Sequence, residues 1–478
     1  MIELSTAEAG FRLERVPEPT LVFANDGEMR DPRAGLLKYG PCPRASGAEH
    51  EVINVGIVGD SRSIAMMEEL LRRMRTGIES KGKRKRWKPP FPGLGIESEL
   101  KFDYQTLEKW KGRVQRDDID RLAALPDRAD RIEPAFNNIK YQIQNVCQQT
   151  PPPDVIFVAI PDRIVEICAD PSTDTEEIRT ENGNFRSRLK IVGMQNATPT
   201  QLMSPKALRG GSDVQKRSEI AWNIAVGMLY KAREGRPWKL ANLRSRTCYA
   251  GISFYHERGD DPDVRAAVAQ VFIDDGRHFV IRGDPVEDIA TENRQTHLSK
   301  EDAKRLIESI LEKYGSQRRE MPRRLVLHKS SNFWPEETEG FNEGAAEVDV
   351  KEFVTIRGRH PLRLFPTGDN PPLRGTLAIP PGEREYYLYT TGFVPEQSIY
   401  NDPATPNPIV VRPHREYFTG DYQRICQEVL SFTKLDWNSS DFCKRLPVTI
   451  SIANAVSKIL AEPEASEVNL QTHYYYYI

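Results

Sequence analysis

Val52-Ile53-Asn54-Val55-Gly56-Ile57-Val58-Gly59, followed at once by Ser61 to Arg75, is the stretch that decides the fold class. The first part is apolar apart from Asn54 and ends on glycine, the composition of a buried strand running into a turn. In the second part Ile64, Met67, Leu70, Leu71 and Met74 recur at helical spacing, so one face is apolar. A buried strand feeding a one-faced helix is the unit of layered α/β domains. Working outward, Val155-Ile156-Phe157-Val158-Ala159-Ile160 reads as another short strand after a Pro-rich turn, and Leu189-Lys190-Ile191-Val192 is expected to be a third. The alternation runs to about residue 240, where Arg236-Pro237-Trp238-Lys239-Leu240 breaks it. Residues 1–50, rich in Pro and Gly, read as an extended or irregular lead-in. The basic run Lys81-Gly82-Lys83-Arg84-Lys85-Arg86-Trp87-Lys88 is expected to be a solvated loop, with contact to nucleic acid or a partner as the alternative.

The second half restarts with strands. Cys248 to Tyr255, Ala267 to Ile273 and His278 to Arg282 follow one another at the spacing of an antiparallel meander. Ser299 opens a helix with Asp302 three residues later, and Ala303, Leu306, Ile307, Ile310 and Leu311 fit one face of it. Arg324 to Leu327 is a further strand leading into His328-Lys329-Ser330. Residues 361–412 are Pro-rich and strand-like, while 421–432 and 447–461 have helical patterns. Strands first, then helices crossing back to a strand, is compatible with a ribonuclease H-like layout.

At 478 residues the chain suits two or three domains, and 38% hydrophobic with 28% charged residues is ordinary globular composition. The formal net charge of −2 gives no general attraction to polyanions. Any nucleic-acid site must therefore be a local basic surface, because charges act over about 10 Å at ordinary salt. The six cysteines are scattered, with no C-x-x-C pair and no Cys/His cluster, which argues against a zinc site or a disulfide framework. Met1-Ile2-Glu3-Leu4 carries no basic-then-apolar signal and no 18-residue apolar run occurs, so a reducing cytoplasm and no membrane are expected.

Phe185 to Leu240 holds the local basic density: Arg186, Arg188, Lys190, Lys206, Arg209, Lys216, Arg217, Lys231, Arg233, Arg236 and Lys239, against Asp213, Glu219 and Glu234. Taken singly, each reads best as a charge on an exposed helix face. Four residues stand apart by spacing. Arg186 and Lys190 lie four apart, Gln201 eleven further, and Lys231 on a helix after a longer gap. A terminal phosphate carries close to two negative charges and needs several converging charge-assisted donors. Thr198-Pro199-Thr200-Gln201 is expected to begin a helix whose N–H groups would add to them.

This pattern resembles the 5′-phosphate pocket of Argonaute MID domains. Asn223-Ile224-Ala225, then Lys231 and Gly235-Arg236-Pro237-Trp238, resembles the family's junction between MID and PIWI domains. Tyr249-Ala250-Gly251-Ile252-Ser253 is similar to the first PIWI strand, and Leu325-Val326-Leu327-His328-Lys329-Ser330 to the second. The resemblance covers roughly residues 50 to 478. It implies an α/β chain with a Rossmann-like MID domain at 51–240 and a ribonuclease H-like PIWI domain at 241–478, after the lead-in 1–50. It also implies that Arg186, Lys190, Gln201 and Lys231 hold a guide 5′-phosphate. The chain's last residues, His473-Tyr474-Tyr475-Tyr476-Tyr477-Ile478, read by default as a packed last strand. By resemblance, the C-terminal carboxylate of Ile478 and Gln201 would hold a Mg²⁺ against that phosphate, hard oxygen ligands for a hard cation.

Three positions depart from the slicing members of the family. Their metal-binding side chains, mostly carboxylates, hold two divalent ions across the scissile phosphate. Here the corresponding places carry Ser253, Lys329 and, in the helix after Leu446-Pro447-Val448, Asn454. A lysine repels Mg²⁺, so cleavage by this chain is not expected. His328-Lys329 is expected instead to touch a nucleic-acid backbone or to be a plain surface pair.

With about 50 residues before the first MID-like strand, the chain resembles short prokaryotic Argonautes, which have MID and PIWI domains alone. Asp31-Pro32-Arg33-Ala34-Gly35-Leu36 is consistent with that group. By resemblance, the partners are a guide RNA, a complementary DNA target and an APAZ-containing effector protein, sirtuin-like in preference to TIR, that hydrolyses NAD in anti-plasmid or antiviral defence. Base pairing would then carry specificity while the protein reads phosphates and helical shape. Three other classes compete with this reading: a purely structural scaffold, a metal-dependent nuclease and a nucleotide-binding protein. A metal-dependent nuclease with a rearranged site would draw on Asp260, Asp261, Asp263, Asp274, Asp275 or Glu336-Glu337. A Rossmann-like nucleotide-binding protein would use Gly56-Ile57-Val58-Gly59-Asp60-Ser61, which lacks the third glycine of the dinucleotide fingerprint.

Overall fold

The computed structural model describes residues 10–43, 51–80, 89–170, 176–180, 183–210, 217–232, 236–256, 265–273, 278–286, 291–292, 295–382, 384–397, 400, 404–465 and 471–478. Of residues 180, 255–256, 265–270, 273, 282–286, 291–292 and 295–296 it describes the backbone alone. The basic run 81–88 and the acidic residues Asp260, Asp261, Asp263, Asp274 and Asp275 lie outside the described residues.

The quoted stretch forms the centre of an all-parallel sheet. The strand Glu51–Gly59 lies between Val155–Ala159 on one side and Phe102–Gln105 and Lys111–Arg113 on the other, and Thr200–Met203 extends the sheet beyond Val155–Ala159. Val55, Ile57 and Val58 are fully buried, as expected where helices cover both faces of a parallel sheet. Asp60 caps the helix Ser61–Thr76 by accepting from the Ser63 amide at 2.8 Å, so a carboxylate already stands at that helix start.

Leu189 to Val192 is not a strand. It lies in the helix Phe185–Gln195, whose start is fixed by the Asn184 side chain accepting from the amides of Arg186 (2.9 Å) and Ser187 (3.3 Å). Leu189, Ile191 and Val192 are all buried, so the helix shows no polar stripe at that point, and a short apolar run cannot distinguish helix from strand. The strand expected there comes one element later, as Thr200–Met203. Thr198-Pro199-Thr200-Gln201 therefore leads into a strand, not a helix. Ala197, at φ 51°, turns the chain, and the Thr198 amide closes on Gly193 O at 3.0 Å.

The second layer is a nine-stranded sheet. Its order is Arg12–Arg15, Thr376–Ile379, Tyr386–Leu388, Ile409–Pro413, Val350–Arg357, Arg324–Lys329, Thr247–His256, Arg265–Ile273 and His278–Val286. The last three form the expected antiparallel meander, and Arg324–Lys329 joins parallel to Thr247–His256. Ser299 caps the helix Lys300–Arg318 through the Asp302 amide (3.1 Å) and carboxylate (2.7 Å). The helices Tyr422–Phe432 and Val448–Leu460 match the expected spans, and Val448–Leu460 packs so tightly that a Cβ on Gly251 would stand 1.9 Å from Thr449 O. The α/β class, a Rossmann-like layer followed by a ribonuclease H-like one, is as the sequence indicates.

The first 50 residues are more than a lead-in. Arg12–Arg15 is the outer strand of the large sheet, and Pro32–Tyr39 is a helix capped by Asp31. Leu21–Val22 pairs antiparallel with Lys239–Leu240, inside the stretch expected to interrupt the pattern. The terminal tyrosines likewise form a 3₁₀ turn, Tyr474–Tyr476, in place of a strand. Composition does not show these contacts because each depends on a distant partner.

One such partner set is charged. Glu18, its side chain 7% exposed, accepts from Arg374 Nε at 2.9 and 3.1 Å and meets Lys434 Nζ at 2.8 Å. Burial alone would raise the Glu18 carboxyl, but Arg374 and Lys434 outweigh it and hold the group below the usual carboxylate range. Glu18→Ala would leave two cations buried without their carboxylate. It is expected to cost about 3–5 kcal/mol of stability in urea denaturation at pH 7, the magnitude for breaking one side of a buried ion pair.

Candidate nucleic-acid interface

Lys190 sits on the buried side of the helix Phe185–Gln195, and Lys231 closes the helix Arg217–Lys231, which is buried almost all round. Each lysine is 2% exposed. Their ammonium groups meet at one carbonyl: Thr200 O accepts from Lys190 Nζ at 2.9 Å and from Lys231 Nζ at 3.2 Å. Lys190 also donates to the main-chain oxygen of Ile478, and Lys231 to Gln201 Oε1. Neither lysine pairs with an Asp or Glu side chain among the described residues. Arg186, one helical turn before Lys190, is exposed.

The electrostatics follow from this crowding. Burial, then the charge of Lys231, then that of Arg186, push the Lys190 ammonium well below its ordinary value. Burial and Arg186 bring Lys231 down to about 7. Keeping both groups charged therefore costs the fold several kcal/mol, which an anion placed between them would offset.

The surroundings hold the two lysines in place. Glu462, 1% exposed, accepts from the Asn184 amide at 3.1 Å, and this fixes the start of the Lys190 helix against the end of Val448–Leu460. Arg188 is clamped by Glu133 (2.7 and 3.0 Å) and Glu464 (2.5 Å), with its guanidinium 3.8 Å from the Phe136 ring centre. Asn223 Oδ1 accepts from both the amide and the hydroxyl of Ser440 at 3.0 Å, anchoring the Lys231 helix. The structure thus brings Lys190, Gln201, Lys231 and Ile478 together, with Arg186 on the adjacent turn. Arg188 and Arg209 belong elsewhere, in ion pairs with Glu133 and Glu464 and with Asp162. Thr200 O, the atom shared by both lysines, has no signal in sequence because it is a main-chain group.

The second set of singled-out residues lies at the centre of the large sheet. Ser253 is buried, its hydroxyl 2.6 Å from Ser457 Oγ. Lys329 is neither a surface lysine nor open to a nucleic-acid backbone. It is 1% exposed and donates to both carboxylate oxygens of Glu337 at 2.6 Å and to Asn332 O at 3.2 Å. Burial lowers the Lys329 ammonium, and Glu337 opposes that shift. His328, also buried, places Nδ1 2.8 Å from Thr449 Oγ1, and burial followed by the charge of Arg324 pushes it down to about 3, so its imidazole is neutral. Asn454 is exposed on the helix Val448–Leu460. Of the spare carboxylates, Glu337 is committed to Lys329 and to the amides of Leu298 (3.3 Å) and Trp334 (3.4 Å).

A parallel-sheet domain followed by a ribonuclease H-like sheet is the fold of the Argonaute and Piwi structures that this chain is similar to. Among solved structures, that of Clostridium butyricum Argonaute bound to a guide DNA with a 5′ deoxycytidine and a 19-mer target DNA matches with a TM-score of 0.63 at 15% identity, over 95% of this chain and 54% of that one. Drosophila Piwi matches with a TM-score of 0.59 at 13% identity, over 97% and 56%. Aquifex aeolicus Argonaute matches with a TM-score of 0.55 at 16% identity, over 94% and 53%. The chain thus spans about half the length of each. No protein-family model matches it, and no curated protein matches its sequence.

Lys231 gives a linkage test. Between about pH 7 and its ordinary value of 10.5 the unfolded chain binds this proton and the folded chain does not, so stability rises with pH across that window. Lys231→Met, which has no charge to bury, is expected to be the more stable form below pH 7 by several kcal/mol. The gap should close towards pH 10.5, as read from urea midpoints of both proteins at a series of pH values.

Proposed function

We propose that this chain is the guide-binding subunit of a prokaryotic defence complex. It takes the 5′-phosphate of a guide, in our reading RNA, between Arg186, Lys190, Gln201 and Lys231, and uses the guide to recognise complementary single-stranded DNA. The observation that carries this is the convergence of two buried ammonium groups on one carbonyl with no acidic side chain beside them among the described residues. Such a site is preorganised for a compact, doubly charged anion. The Argonaute from Clostridium butyricum, similar in fold, was solved with a guide and a target DNA.

A Mg²⁺ fits the same place by donor type. Gln201 Oε1 and the Ile478 oxygen are hard acceptors that already face the lysine pair, and they would hold the ion beside the phosphate. The ion would supply positive charge to the guide phosphate and no cleavage chemistry. Cleavage is not part of the proposed activity, because an ammonium–carboxylate pair, Lys329 with Glu337, fills the position where slicing relatives need metal ligands. Chemistry would belong to an APAZ-containing effector, sirtuin-like in preference to TIR, that hydrolyses NAD once guide and target have paired. The complex would work in the cytoplasm; no helix among the described residues is long and apolar enough to cross a membrane.

Fluorescence anisotropy with an RNA of about 20 nucleotides, 5′-phosphorylated or 5′-hydroxyl, tests the pocket. The phosphorylated form is expected to bind more tightly, and Lys190→Ala and Lys231→Ala each to cost about 10- to 100-fold, as for the loss of one charge-assisted hydrogen bond. Equal binding of both RNAs, unmoved by either substitution, would falsify the assignment.

The same measurement has a pH signature. Phosphate holds Lys231 protonated, whereas in the free protein the group titrates at about 7. Affinity should therefore fall as pH rises above 7, by up to about tenfold per pH unit, until the bound form also titrates. Co-expression with the effector should give NAD hydrolysis only when guide and complementary DNA are both added. Incubation of the chain alone with Mg²⁺ and target should leave the target intact.

A further inference from the structure

Thr200 supplies the carbonyl on which both ammonium groups converge, and its side chain has a second story. The residue is 1% exposed, and its hydroxyl has no hydrogen-bond partner among the described residues. Buried polar groups are nearly always bonded, because an unmade hydrogen bond leaves their loss of water uncompensated. Thr198, two residues earlier, follows that rule and donates from Oγ1 to Asn196 O at 3.2 Å.

Three constraints place the Thr200 hydroxyl beside the lysine pair. A Cβ on Gly193 would stand 2.9 Å from Thr200 Cγ2 and 3.5 Å from Thr200 Oγ1, so the side chain lies against the helix Phe185–Gln195 at Gly193. Gly193 is three residues after Lys190, which puts the two on one side of that helix. Successive strand residues point to opposite faces, so Gln201, which takes Lys231, lies across the strand from it. Covalent geometry also keeps a threonine Oγ1 within about 5 Å of its own carbonyl oxygen. That oxygen is the atom that Lys190 and Lys231 reach at 2.9 and 3.2 Å.

We propose that the Thr200 hydroxyl is a further donor of the anion site and bonds an oxygen of the terminal phosphate. This rests on the reading of Lys190 and Lys231 as a guide-phosphate site. The phosphate is then held from both faces of the strand, by Lys190 and the Thr200 hydroxyl on one and by Lys231 on the other. A doubly charged phosphate offers acceptors only, and a hydroxyl can donate to it without carrying charge. That matters where two ammonium groups already crowd each other: the extra bond is charge-assisted by the ligand, and no third cation has to be buried.

Two substitutions in the full chain separate this role from packing. Thr200→Val removes the hydroxyl and keeps the branched shape, whereas Thr200→Ser keeps the hydroxyl and removes a methyl group. With no bond to lose in the free protein, Thr200→Val is expected to have a urea midpoint equal to or above that of the wild type. Its affinity for 5′-phosphorylated RNA, read by anisotropy, is expected to fall about tenfold, with 5′-hydroxyl RNA bound as before. Thr200→Ser is expected to keep the preference for phosphate to within about twofold. A merely structural role would shift stability and both RNAs together. Inorganic phosphate is the second probe, expected to raise the urea midpoint of the wild type more than that of Thr200→Val.

A clearly lower midpoint in Thr200→Val means that the hydroxyl is bonded in the free protein, and overturns the proposal. An undiminished preference for phosphorylated RNA in that variant also overturns it, and leaves the proposed function standing. Equal binding of both RNAs by the wild type removes the proposed function instead. In that case a larger effect of inorganic phosphate on the wild type than on Thr200→Val upholds the donor, and equal effects overturn it.

Discussion

Lys190 and Lys231 both donate to Thr200 O, and holding two like charges this close inside the protein is the constraint to which the neighbouring structure answers. Left to itself, such a pair would relax by losing a proton or by turning one side chain towards water. Turning towards water is closed, because the Lys231 helix is buried on nearly all sides and the Lys190 helix is fixed at its start by Asn184 and Glu462; proton loss is open, and Lys231 is brought down to about 7. Arg188 adds a clamp to Glu133 and Glu464 on the same helix. The cost of gathering the charges is thus met during folding by packing elsewhere. An anion placed there would need little further ordering of the protein.

Much of the site could be read from residue spacing, because side-chain charge is explicit in sequence. The separations among Lys190, Gln201 and Lys231 pick out residues that fold into one place, with Arg186 exposed on the adjacent turn. The local backbone was harder. Leu189 to Val192 is apolar apart from Lys190 because the helix is buried there, and the capping signal at Asn184 lies outside that run. Contacts across long separations were not legible at all. Glu18 meets Arg374 and Lys434, and Arg12–Arg15 pairs with Thr376–Ile379, and no local pattern marks either. Lys329 shows the same limit from the other direction: the residue type excluded a metal ligand, but only the position of Glu337 eight residues on reveals that its charge is consumed internally.

That ion pair changes how the centre of the large sheet is held. Ser253 bonds to Ser457, His328 to Thr449, and the helix Val448–Leu460 rests directly on Gly251. Each contact ties the same helix to the same two strands. A divalent ion in that region would need oxygen ligands free to face it. Here the hydroxyls of Ser253 and Ser457 bond to each other, and the carboxylate of Glu337 is taken by Lys329. Interactions that join the sheet to its covering helix thus fill this centre.

The partners of the buried cations set these two centres apart. Arg324 is matched by Glu352 and Glu428, Arg374 and Lys434 by Glu18, and Lys329 by Glu337. In each case a carboxylate from the chain balances the charge, and the pair serves the fold. Lys190 and Lys231 are as deeply buried, but their partners are the carbonyl of Thr200, the amide oxygen of Gln201 and the main-chain oxygen of Ile478. Polarity satisfies their donors without a carboxylate side chain to balance their charge. Those other cations each face a carboxylate side chain, whereas among the described residues the lysine pair faces a carbonyl, an amide oxygen and the oxygen of the terminal residue Ile478.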